Sequence, residues 1–131
     1  MPEDHASRSD ELHVRDERPQ AMRLHALDAR VRHVSVLTDA DRLRAILYAG
    51  ADAGGATVVG EEFCVFPNGA VTGVLVLAQS HLSIHTWPEL ALVNVDLLSY
   101  GDLRGDDVLD AICQRLEVER VTVICIPRAI G

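Results

Sequence analysis

Between Gln79 and Glu89 the chain reads QSHLSIHTWPE, which gathers two histidines, two serines, a threonine, the only tryptophan, a proline and a glutamate. Imidazole carries protons near neutral pH, and a serine hydroxyl beside such a base can act as a nucleophile. These groups follow directly on the apolar run VTGVLVL (Val71 to Leu77), a strand-like segment behind which a binding or catalytic site is expected. Three readings fit the residue types. A zinc site would use His81 and His85. In a strand, however, His81, Ser83, His85 and Trp87 point one way and Leu82 and Ile84 the other. Four strand residues then separate the two imidazoles by about 13 Å, too far for one ion with bonds near ~2 Å. Helical spacing would suit a metal, but Ile84, Thr86 and Pro88 disfavour a helix, so no metal is expected. A Ser/His/Asp hydrolase would use Ser80 and His85, yet no serine sits in a G-x-S-x-G elbow and no helix follows to build an oxyanion hole. The third reading is a structural strand whose histidines and serines only form hydrogen bonds.

The elements around this stretch can be taken in order. Residues 1–22 are polar and charge-mixed and predict a disordered tail, in which His5 and His13 lack ligand-like spacing. Residues 23–131 are expected to form one domain. Ala29 to Leu37 predicts an opening strand, because Val34 and Val36 alternate with His33 and Ser35. Thr38-Asp39 offers an N-cap to a helix whose apolar stripe is Leu43, Ile46, Leu47 and Ala49 to Ala51, closed by Gly54-Gly55. Gly55 to Phe63 reads as a second strand. Phe66-Pro67-Asn68-Gly69 is turn chemistry that pairs it with the strand Val71 to Leu77. The central stretch begins a fourth strand, broken by a bulge or edge at Trp87-Pro88 and resumed from Leu90 to Leu98. A second helix carries Val108, Leu109, Ile112 and Leu116, and Val121 to Ile126 is a last strand stopped by Pro127. This order predicts an α+β domain, a two-layer sandwich of an antiparallel sheet with two helices on one face. The other face is left bare, and burial against a second copy is expected for so apolar a sheet.

Composition narrows the partners. With a net charge of −8 and no basic cluster with interleaved aromatics, neither nucleic acid nor an anionic membrane surface is expected. The N-terminus lacks the apolar core of a secretory signal, and no run reaches membrane-spanning length. Cys64, Cys113 and Cys125 are odd in number and scattered, which suits reduced thiols in the cytoplasm. A chain this short has few layers in which to hide a site, so a deep pocket is expected at a subunit interface.

From Ser80 to Glu89 the string SHLSIHTWPE resembles the self-processing site of the S-adenosylmethionine decarboxylases in their short bacterial and archaeal form, whose pattern runs E-S-H-[LI]-[ST]-I-H-T-[WY]-P-E. GATVV at the second strand, the V-[ST]-G-V run before the site and the Gly-Asp step after the fourth strand extend the resemblance over about residues 30–131. It implies a proenzyme that cuts itself between Gln79 and Ser80. The Ser80 hydroxyl would attack the preceding carbonyl, an N-to-O acyl shift would give an ester, and elimination with loss of ammonia would leave a pyruvoyl group in place of Ser80. That cofactor would form a Schiff base with the substrate amine and act as the electron sink for decarboxylation. The same resemblance makes His85 a proton carrier in processing and sets the Thr72 hydroxyl where a processing serine stands. It places Glu89 on the substrate ribose, Phe66 on the adenine, and His33 as the histidine of the opening strand. It also implies a homodimer with sheets face to face.

Two positions depart from the family pattern. Gln79 replaces the glutamate before the cut. Tyr100 replaces the catalytic cysteine of a T-C-G-[DE] step, here Ser99-Tyr100-Gly101-Asp102. A phenol is a weaker acid and a bulkier group than a thiol. Cys64 stands where a histidine is common. The leading expectation is decarboxylation of S-adenosylmethionine for spermidine synthesis. An altered pocket would suit a pyruvoyl-dependent decarboxylase of ornithine or arginine instead, and Gln79 with Tyr100 could also mark a non-catalytic relative acting as a binding or regulatory subunit.

Overall fold

A computed structural model describes residues 22–128; the expected tail, 1–22, therefore lies outside the described residues except for Met22. Among the described residues, six strands and two helices follow in order: β1 (Met22–Val31), α1 (Ala40–Ala53), β2 (Val58–Val65), β3 (Val71–Leu77), β4 (Ser80–Trp87), β5 (Leu92–Ser99), α2 (Gly105–Leu116) and β6 (Val118–Arg128). The strands form one sheet in the order β2-β3-β4-β5-β1-β6, and every neighbouring pair is antiparallel. Both helices are packed together over the same face. The expected two-layer α+β architecture is what the chain adopts.

Alternation along each strand builds the core. Leu27, Ala29 and Val31 of β1, Val71, Leu75 and Leu77 of β3, Leu82 and Ile84 of β4, and Val93, Val95 and Leu97 of β5 are all buried against Leu43, Ile46 and Leu47 of α1 and Val108, Ile112 and Leu116 of α2. Removing a fully buried side chain such as Leu82 costs about 2–5 kcal/mol. Asp39 caps α1 by accepting a hydrogen bond from the Arg42 amide. The helices approach closely because α1 presents glycine to α2: a Cβ at Gly50 would lie 2.6 Å from Ile112 Cγ1, and one at Gly54 2.2 Å from Val108 Cγ2.

Four boundaries depart from the sequence expectation. The opening strand is Met22–Val31, not Ala29 to Leu37, and Val34–Thr38 is a 3-10 turn that buries Val36 and Leu37 while Val34 stays exposed. Two alternating valines were too short a signal, and the true inward positions of β1 include a histidine and an alanine, which carry little apolar weight. The second strand starts at Val58, after the turn that Gly55 closes with φ +80°. At Trp87-Pro88 the chain does not bulge. It reverses through a 3-10 turn, Pro88–Leu90, and the left-handed Ala91, so that Leu92–Ser99 returns as a separate strand paired to β4. Finally, β6 runs through Pro127 to Arg128, because it is an edge strand where a missing amide donor is tolerated.

Candidate active site

Strand register sorts the polar residues of the bare face into rows. Cys64, Thr72, His85, Asn94, Asp28 and Thr122 stand opposite one another across all six strands. The parallel row one step along holds Glu62, Val74, Ser83, Asp96, Ala26 and Ile124. The Thr72 Oγ1 and His85 Nδ1 atoms are 3.1 Å apart, which leaves His85 Nε2 for a further partner. Thr86 anchors this part of β4 from the other face, where its hydroxyl donates to the Leu37 carbonyl at 2.7 Å and accepts from the Val71 amide at 2.8 Å. A neighbour so fixed holds the His85 backbone in place.

Beside Thr72 and His85 lies a cavity of about 330 Å³ whose lining includes Phe66, Asn68, Trp87 and Glu89. The turn that presents Phe66 is tied by the Phe66 amide to Ala70 carbonyl bond, the Gly69 amide to Phe66 carbonyl bond and the Ala70 amide to Asn68 Oδ1 bond, with Gly69 at φ +89°. Phe66 is exposed at the mouth of this turn. Four residues singled out from the sequence, Phe66, Thr72, His85 and Glu89, therefore converge on one cavity.

Gln79, Ser80 and Tyr100 sit at the opposite end of the hairpin. Ala78 and Gln79 form the two-residue turn between β3 and β4, and Gln79 takes φ +65°, a left-handed conformation that a non-glycine residue adopts only at a cost. Ser80 begins β4, and its hydroxyl donates to the Leu98 carbonyl of β5, two residues before the half-buried Tyr100. Ser80 and His85 are thus five residues apart on one strand, about 16 Å at ~3.3 Å per residue. The structure brings Thr72 to His85 but leaves Ser80 away from both. Cys64 stands in register with Thr72, at the cavity end, not at the Tyr100 end.

Sequence reasoning passed over a buried pair near Ser80. His25 Nε2 lies 2.9 Å from Ser99 Oγ, and a Cβ at Gly105 would meet the same nitrogen at 2.6 Å, so the imidazole is packed under the start of α2. Burial pushes its pKa below the ordinary histidine value, partly offset by the Asp106 carboxylate, while Arg23 adds to the lowering. His25 is the histidine of the opening strand. His33 instead stands exposed before the 3-10 turn, 3.6 Å from the Glu117 carboxylate. Only the alternation of His25 with Leu27, Ala29 and Val31 could have pointed to it.

An antiparallel sheet with helices on one face, and a Ser-His string on a central hairpin, define the class of the chain; comparison with known proteins then defines the family. Residues 25–129 match the family model described as S-adenosylmethionine decarboxylase. The S-adenosylmethionine decarboxylase proenzyme of Symbiobacterium thermophilum is 49% identical over 65 residues, which span 50% of this chain and 49% of that one. The proenzyme of Caldanaerobacter subterraneus subsp. tengcongensis is 35% identical over 96 residues, or 72% of this chain and 77% of the relative. The crystal structure of the adenosylmethionine decarboxylase from Aquifex aeolicus superposes with a TM-score of 0.79 at 26% identity, covering 86% of this chain and 93% of that one. The chain belongs to the S-adenosylmethionine decarboxylase family.

Proposed function

We propose that this chain is a proenzyme that cleaves itself between Gln79 and Ser80 and then decarboxylates S-adenosylmethionine for spermidine synthesis in the cytoplasm. The observation that carries the reading is the convergence of Phe66, Thr72, His85 and Glu89 on a single cavity. Phe66 offers a ring face to the adenine, and Glu89 a carboxylate that can accept from both ribose hydroxyls. Thr72 and His85 form a hydroxyl–imidazole pair able to move a proton.

The residues present suit a pyruvoyl group made from Ser80: a hydroxyl directly follows a carbonyl held in a strained, left-handed turn residue. A pyruvoyl group supplies the electron sink that no ordinary side chain provides. Tyr100, two residues beyond the carbonyl that Ser80 contacts, would give a proton at that end of the site.

The separation of Ser80 from the cavity supports a homodimer as the working form. The bare face carries Val76, Ile124 and Ile126 at 47%, 42% and 43% exposure, together with Leu24 and Leu98. A two-fold axis lying between two such faces, perpendicular to the strands, reverses strand direction, so that the Ser80 end of one copy meets the Thr72–His85 end of the other. Each site would then draw on two chains. The relatives' names favour S-adenosylmethionine over ornithine or arginine, and a catalytic over a regulatory role.

Intact mass under denaturing conditions tests the reading. Two chains meeting at Gln79/Ser80 are expected, the smaller starting with pyruvoyl, and Ser80→Ala should remain whole. Carbon dioxide release from S-adenosylmethionine, measured beside ornithine and arginine, completes the test. A single uncut chain that releases none would overturn the proposal.

A further inference from the structure

Trp87 is one wall of the cavity, and a side chain outside the cavity holds it there. The indole Nε1 donates to Asn94 Oδ1 at 2.6 Å, and Asn94 Nδ2 donates to Asp28 Oδ1 at 2.6 Å. The middle member must be an amide. An indole N–H can only donate and a carboxylate can only accept, so a residue joining them must accept on one side and donate on the other. That requirement also fixes which way round the Asn94 amide stands. Asn94 lies directly opposite both His85 on β4 and Asp28 on β1, in the row that carries Thr72 and His85, and the chain of bonds from Trp87 crosses three strands. Without it, an indole that is 43% exposed at the mouth of the cavity has no polar bond to keep it upright.

We propose that Asn94, clamped by Asp28, is a positioning residue that fixes Trp87 as the cavity wall and so sets how tightly the substrate is held. This rests on the function proposed above. Face-to-face pairing of two copies would cover the row and strengthen both bonds by excluding water.

The test uses the full-length protein and three forms: wild type, N94D, and the double variant D28N/N94D. N94D still offers an acceptor to the indole but sets two carboxylates against each other, which breaks the clamp. The double variant returns a donor opposite an acceptor and rebuilds it with the roles exchanged. Because the chain has one tryptophan, its emission reports on Trp87 alone. N94D is expected to shift emission to the red, to raise acrylamide quenching, and to raise KM for S-adenosylmethionine about tenfold with a smaller change in kcat. D28N/N94D should bring emission, quenching and KM back toward wild type. Unchanged emission and KM in N94D, or a folded double variant that restores neither, would overturn the clamp. A wild-type protein that turns over no S-adenosylmethionine would instead sink the proposed function, and the emission of the double variant would then decide the clamp by itself.

Discussion

Mixed dimers of Ser80→Ala and His85→Ala chains are expected to recover the pyruvoyl formation that neither variant performs alone. The strand separation of about 16 Å between Ser80 and His85 compares with the ~3.2 Å reach of a base on the proton it takes, or roughly twice that through one water. Rotamer changes do not close a gap of that size along a strand whose neighbours on both sides are in continuous register. In a mixed dimer the His85→Ala chain brings an intact Ser80 to the Thr72–His85 pair of the Ser80→Ala chain. Random pairing at equal amounts makes about half of all dimers mixed, each with one intact site, so about half of the His85→Ala chains should carry the group. Co-expression with two distinguishable tags, followed by intact mass under denaturing conditions, counts them directly. Processing of His85→Ala by itself at the wild-type rate would refute the shared site. So would uncut chains in mixed dimers shown to be folded and associated.

Two other perturbations act on the same end of the molecule. Gln79→Gly relieves the left-handed conformation at φ +65°, worth about 1 kcal/mol, and should slow self-cleavage about fivefold when the uncut fraction is followed over time; faster cleavage would show that the strain has no part in it. His25 is held below its ordinary pKa chiefly by burial, so its unfolded form binds the proton first as pH falls. The stability it allows is fully present above about pH 6.5 and is lost below that as pH drops toward the folded value. His25→Gln should therefore flatten the fall of the unfolding midpoint across this acid range, and an unaltered pH profile would remove His25 as its source.

Strong period-two runs made much of the sheet legible: Val71–Leu77 was readable to the residue because VTGVLVL alternates between a buried and a half-buried or exposed face. The helices were legible from Leu43, Ile46 and Leu47 and from Val108, Leu109, Ile112 and Leu116, all buried. β1 was missed because its inward residues are His25, Leu27, Ala29 and Val31 while Asp28 and Arg30 interrupt them outwardly, so its pattern is apolar only once the sheet exists. The reversal after Trp87 was likewise invisible, since Pro88 signals a break but not whether the chain bulges or turns back. At the site, residue types were legible and distances were not. Ser80 and His85 read as neighbours in a short string, yet a strand keeps neighbours in sequence far apart and joins His85 to Thr72, thirteen residues away, at 3.1 Å.

A long central strand therefore imposes the division of labour. A strand can carry a hydroxyl and an imidazole on the same rigid backbone while holding them too far apart to react. It also sets them at opposite ends of one strand, so that in the proposed dimer a second copy, inverted about a two-fold axis, would supply what each end lacks. The hairpin turn fits the arrangement: a two-residue turn between β3 and β4 needs a left-handed residue, and that residue is Gln79, whose carbonyl is the one attacked in the proposed cleavage. The pairing of β4 with β3 and β5 holds this turn closed against its own strain in the uncut chain.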